Sequence, residues 1–264
     1  MDRQRIAWLT LSNAALVVLT TGPALAQMPI EVAAYNDRPP VNEQTIAEGK
    51  RIYDLSCVHC HGTAGRGDGP VAYFLNRSFG PHPRNFTDGV FKFRSTYSGD
   101  APTDEDLFRS VTKGIPGFMP GFNGLAPAER WKVIYYIKTF LPEDLLEFEP
   151  EVVEIVGEPL PANAASIRRG YEVYQQLNCW ECHGPGGQGD GPKAPDLEDD
   201  WGFPLPSADL TRPSSFKNGS RPEDIYRTIV TGLDGGAMTS FVDMMRGREE
   251  DIWHLVNFVL ALSR

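Results

Sequence analysis

Two pentapeptides decide how this chain is read: Cys57-Val58-His59-Cys60-His61 and Cys179-Trp180-Glu181-Cys182-His183. Each is a CxxCH, and together they hold all four cysteines of the 264 residues. Two thiols separated by two residues at a helix start reach the two vinyl groups of one porphyrin and close thioethers, and the adjacent histidine then faces the iron. The motifs therefore predict two haem c groups, iron protoporphyrin IX bound covalently through Cys57 and Cys60 with His61 as proximal ligand, and through Cys179 and Cys182 with His183. A redox-active dithiol would want a βαβ setting that this sequence lacks, and zinc ligands cluster more closely than these two motifs do.

Working outward, the surroundings of the motifs repeat in order. Ile46-x-x-Gly49-x-x-x-Tyr53 returns as Ile167-x-x-Gly170-x-x-x-Tyr174, with one extra residue between tyrosine and cysteine in the second copy. Gly65-Arg66-Gly67-Asp68-Gly69-Pro70 returns as Gly187-Gln188-Gly189-Asp190-Gly191-Pro192, and Asp106-Leu107-Phe108-Arg109 as Asp224-Ile225-Tyr226-Arg227. Each copy then has a glycine, Gly114 or Gly232, a methionine shortly after it, Met119 or Met238, and a closing apolar segment led by Trp131 or Trp253.

The sixth iron ligand has to come from the loop that closes the far face of the haem, and a thioether is soft, neutral and favours the ferrous state. The repeat supplies Met119 and Met238 for this role. Met244 and Met245 have no counterpart in the first copy, and neither has His82. His59 and His254 read as structural. Arg84, Arg94 and Arg212 are candidate partners for haem propionates, because a guanidinium pairs with a carboxylate through two donors.

The pattern is all-α: three helices per copy, joined by long Gly- and Pro-rich loops, with no strand signal. The first helix is predicted over Glu43 to Ser56 or Ala164 to Asn178. The second starts near Thr103-x-x-Asp106 or Pro222-Glu223-Asp224 and stops at Gly114 or Gly232, and the last begins near Pro127 or Glu249. Bare loops of that length are costly, so a haem in their midst would organise them.

The chain therefore divides into an arm over 27–42, one unit over 43–142, a linker over 143–162 and a second unit over 163–264. Glutamates, Asp144 and prolines fill the linker without a basic residue. It reads as an extended acidic tether, with room for a short helix at Asp144 to Phe148.

Residues 1–26 read as a secretory signal peptide: Arg3 and Arg5, an apolar run from Ile6, and Ala24-Leu25-Ala26 as a cleavage site. An uncleaved membrane anchor is the weaker reading, since the run is short, holds Ser12 and Asn13, and lacks a basic flank on its far side. The expected location is the periplasm. A formal net charge of -10 argues against nucleic acid as a partner.

These residues resemble the class I cytochrome c family, as a tandem, dihaem member. The resemblance implies a small helical bundle around each haem, with His61 and Met119, then His183 and Met238, as axial ligands. It also implies outer-sphere transfer of single electrons between redox proteins, rather than catalysis. The stretch Arg84-Asn85-Phe86-Thr87 through Phe91-Lys92-Phe93-Arg94 is similar to that of dihaem subunits accompanying bacterial respiratory oxidoreductases, which adds a membrane-bound or molybdenum-enzyme complex as a possible setting. In the second unit Ala208-Asp209-Leu210-Thr211 and Ser215-Phe216-Lys217-Asn218 match that stretch only in part. The acidic surface implies a basic docking patch on the partner. The rival class is a haem enzyme, peroxidase-like or thiosulfate dehydrogenase-like, with one iron position open.

Overall fold

A computed structural model of the chain describes residues 37–75 and 82–263; the expected signal peptide and most of the amino-terminal arm lie outside them. The described residues form helices and turns, with isolated bridges as the only β pairing. Helix α1 spans Glu43–Ser56 and leads into the short α2, Val58–His61; α3 is Asp104–Lys113 and α4 is Pro127–Lys138. The second unit repeats the series as α5 (Ala164–Gln176), α6 (Trp180–His183), α7 (Pro222–Thr231) and α8 (Glu249–Ala261). Among the described residues no helix is long and apolar enough to cross a membrane.

Local chemistry sets the helix starts. Asn42 caps α1, its side chain accepting from Thr45 N at 2.9 Å while the Thr45 hydroxyl accepts from Asn42 N at 3.0 Å. Thr103 and Asp106 make the same reciprocal box at α3. Proline at the first position opens α4 and α7, where no amide hydrogen is needed.

The first helix of each unit crosses the last one closely, and a glycine makes this possible. A Cβ on Gly49 would sit 1.9 Å from the Lys132 carbonyl oxygen, and one on Gly170 2.0 Å from that of His254. Beside each crossing a tyrosine is buried, and an aromatic pair holds the other long helix: Phe108 stacked on Trp131 at 4.3 Å and Tyr226 tilted against Trp253 at 4.6 Å. Each unit thus has its own apolar core.

The extra residue of the second copy is absorbed where α5 ends. The helix stops at Gln176, two residues short of the predicted Asn178, and Asn178 takes a left-handed φ of 54°. The Cys179 amide then reaches the Tyr174 carbonyl at 3.1 Å, as the Cys57 amide reaches Tyr53 at 2.8 Å. Asparagine tolerates that conformation better than most residues.

The units meet at a seam with matched halves. Arg94 of the first unit is fully buried and donates to the Thr231 carbonyl at the end of α7 and to Asp234 Oδ1, at 2.9 and 2.8 Å. In the reverse direction Lys113, at the end of α3, donates to the Asn218 carbonyl of the second unit. Asp234 also accepts from the Ser98 hydroxyl and the Gly99 amide, and Tyr97 packs on the second unit's core.

The acidic linker is extended, with a 3-10 turn at Glu143–Leu145, but it is docked on both units as well as joining them. Val153 N donates to Ser95 O at 2.8 Å, Trp253 Nε1 to Val156 O at 2.8 Å, and Asn257 Nδ2 to Leu160 O at 3.1 Å. Val153 is buried in the second core. At the other end of the first unit, Arg38 of the arm lies 4.0 Å over the Trp131 ring and pairs with Glu105.

Candidate haem centres

Each CxxCH sits where the first helix ends and a one-turn helix begins, with its cysteines half-buried and not bridged to one another. Among the described residues no group of three or more His, Cys, Asp or Glu is gathered to hold a metal ion.

The two histidines are held alike. His61 Nδ1 lies 3.1 Å from the Arg84 carbonyl oxygen and His183 Nδ1 3.0 Å from that of Ala208. A carbonyl only accepts, so Nδ1 carries the proton and Nε2 keeps a free lone pair for iron. Burial lowers both histidine pKa values, which favours this neutral form. The turn is anchored further by Tyr53 and Tyr174, whose hydroxyls donate to the Gly62 and Gly184 carbonyls at 2.7 and 2.6 Å. In the sequence these tyrosines show only as a recurrence at one spacing, which does not disclose the carbonyls that their hydroxyls serve.

The methionine loops are folded back on the second helix of each unit. Gly114 and Gly232 end α3 and α7 with φ of 69° and 67°. A Cβ at Gly114 would meet the Met119 carbonyl oxygen at 2.4 Å, and one at Gly232 the Ser240 amide nitrogen at 2.5 Å. Only glycine satisfies both the left-handed backbone and the approach. Ile115 and Leu233 amides bond the Met119 and Met238 carbonyls at 2.9 and 2.8 Å. Both methionines are half-buried and pack on the cores that also receive Cys57 and Cys179. Met244, by contrast, is exposed, and Met245 is fully buried in the second core.

Of the three arginines expected near propionates, two have other occupations. Arg94 belongs to the seam, where Phe91, Tyr97, Thr231 and Asp234 take its donors. Arg212 is exposed and pairs with Asp209 at 3.2 Å. Arg84 alone of the three makes no ion pair among the described residues: its guanidinium lies 5.0 Å over the Trp201 ring of the second unit, with Asp88, Asp199 and Asp200 acting on it from farther off. His82 has its Nε2 3.1 Å from the Ala72 carbonyl, His59 is exposed, and His254 bonds Ser166 at 2.8 Å.

The donor set fits haem. Two thiols at the start of a helical turn, an imidazole with one nitrogen fixed and the other free, and a thioether loop behind a glycine recur in both units. Haem bound there supplies an iron that gains or loses one electron.

A family model described as "Cytochrome c" matches residues 46–140, and one described as "Cytochrome C oxidase, cbb3-type, subunit III" matches residues 165–259. No curated protein matches. Among solved structures, a chain of the "Kuenenia stuttgartiensis reducing HAO-like protein complex" superposes with a TM-score of 0.76 and is 39% identical, over 85% of this chain and 98% of that one. With matching cytochrome c models in tandem, a CxxCH in each, and identity sustained over nearly the whole of a solved relative, the chain belongs to the dihaem c-type cytochromes and carries two covalently bound c-type haems.

Proposed function

We propose that this cytochrome is an exported carrier working in the periplasm, passing single electrons between protein partners through haems ligated by His61 and Met119 and by His183 and Met238. The observation that carries the reading is the shared build of the two centres. Each proximal histidine has its Nδ1 proton spent on a backbone carbonyl, and each methionine sits in a loop pinned to the second helix. A neutral imidazole and a thioether that stay in place through the redox cycle leave little to reorganise, which suits transfer better than turnover.

The charge of -10 supports docking to a basic patch on the partner, with an association rate that falls as salt rises. The solved relative is part of a multi-subunit complex, and this supports a second setting for the same activity, as a fixed subunit beside other cytochromes.

An optically monitored redox titration of the processed protein tests the ligand assignment. It should resolve two one-electron centres, with M119A lowering the potential of one and M238A that of the other. Unmoved potentials in both variants would refute it. Purification from the native host under low salt separates the settings: a lone chain supports the free carrier, and stoichiometric haem-protein companions support the subunit.

A further inference from the structure

Lys92 and Lys217 occupy matching places in the two units, each directly after a phenylalanine, Phe91 or Phe216. Both point across the seam. Lys92 Nζ is 3.3 Å from where a Cβ on Gly236 would lie, and Gly236 stands two residues before Met238. Lys217 Nζ lies 5.0 Å from the centre of the Phe118 ring, and Phe118 precedes Met119. Each lysine therefore reaches the methionine loop of the opposite unit.

The placement is costly in the protein alone. Lys92 is buried, and burial, followed by repulsion from Arg84, lowers its pKa to about 8; Asp199 and Asp200 oppose that shift and Lys217 adds to it. Lys217 is lowered by burial as well. Among the described residues, no carboxylate forms an ion pair with Lys92, Lys217 or Arg84. A chain of net charge -10 has thus collected three cations at one seam, with Asp199 and Asp200 facing Lys92 and Arg84, and Asp88 facing Arg84, but none of them in ion-pair contact. Buried like charges persist where something bound returns the cost, and the haems bring carboxylates and an iron whose charge changes by one.

We propose that the two lysines are exchanged between the units: Lys92 tunes the haem of the second unit and Lys217 that of the first. The proposal rests on the assignment of Met119 and Met238 to their haems. A cation near a haem favours the reduced form, because the added electron lowers the charge that the cation opposes. Loss of one charge at a partly buried site changes a one-electron equilibrium by roughly three- to tenfold, and tenfold corresponds to about 59 mV.

The test uses the full haem-loaded chain, with the two centres first assigned through M119A and M238A. K92M should lower the potential of the Met238 centre and leave the Met119 centre in place; K217M should do the reverse, and K92R and K217R should retain the native values. A shift on the lysine's own unit, equal shifts on both, or a changed unfolding midpoint with unmoved potentials would each overturn the exchange. If K92M does not load haem, K92Q reads the same loss of charge. If M119A and M238A move neither potential, the ligand assignment fails first and takes the exchange with it.

Discussion

Arg94 Nη2 donates to Asp234 Oδ1 at 2.8 Å, joining residues 140 positions apart and closing the seam between the two units. The arginine is fully buried and the aspartate half-buried. Removing one partner of such a pair leaves the other charge without its counterpart and strands the Thr231 carbonyl. R94A is expected to cost about 3 kcal/mol of stability, measured by denaturant unfolding. In a double-mutant cycle, D234A should cost less in the R94A background than in the native chain, what remains being its bonds from Ser98 and Gly99; full additivity would mean that the two side chains act independently.

The helix crossings give a prediction whose sign separates two effects. On an open helix surface Gly to Ala would gain up to about 1 kcal/mol. At Gly170 the new methyl would collide with the His254 carbonyl oxygen 2.0 Å away. G170A should therefore destabilise the second unit by about 1–3 kcal/mol, seen as a lower thermal midpoint by circular dichroism. A stabilised G170A would show that α5 and α8 separate freely.

Tyr53 and Tyr174 anchor the turn that follows each CxxCH, and their hydroxyls are buried with the glycine carbonyls that they serve. Y53F and Y174F should each cost about 1 kcal/mol in denaturant unfolding, with the visible spectrum preserved. A neutral result would place the hydroxyl outside the fold's accounts.

Asp251 at the start of α8 accepts from Arg169 at 2.7 Å and from Arg248 at 2.9 Å. Burial raises its pKa, but the bonds to the two guanidiniums outweigh that and hold the carboxyl below its ordinary value of 3.8. Because the folded pKa is the lower one, the stabilisation is complete above the ordinary aspartate range and is lost as the pH falls through the folded value. The guanidiniums are more than a third exposed, so D251N should cost only on the order of 1 kcal/mol at neutral pH. The wild-type and D251N stabilities should converge in acid, and a gap that persists there would assign the effect to packing.

What the residues disclosed in advance depended on range. Helix starts at Glu43 and near Thr103 and helix stops at Gly114 and Gly232 are set by neighbours within a few positions, so they could be read directly. The cofactor motifs were legible for the same reason. Arg94 was not: it carries the same guanidinium as Arg84, and only the approach of Thr231 and Asp234 from the other unit separates a seam residue from one beside a haem. Lys92 and Lys217 did leave a trace, a Phe-Lys pair in each copy, but direction across the seam is a property of the assembled pair of units. The linker likewise showed its acidity and its prolines, while the carbonyls at Val156 and Leu160 that receive Trp253 and Asn257 say nothing in a sequence.

The strip from Arg94 to Gly99 has a consequence for how the molecule can be taken apart. It is encoded in the first half yet completes the second, where Tyr97 lies on the core and Asp234 gathers three of its donors. The duplicated modules have stopped being interchangeable. A scissile cut in the connecting segment should leave two fragments that still hold each other, whereas the carboxy-terminal half produced by itself would carry an open wound on the side its sibling normally dresses.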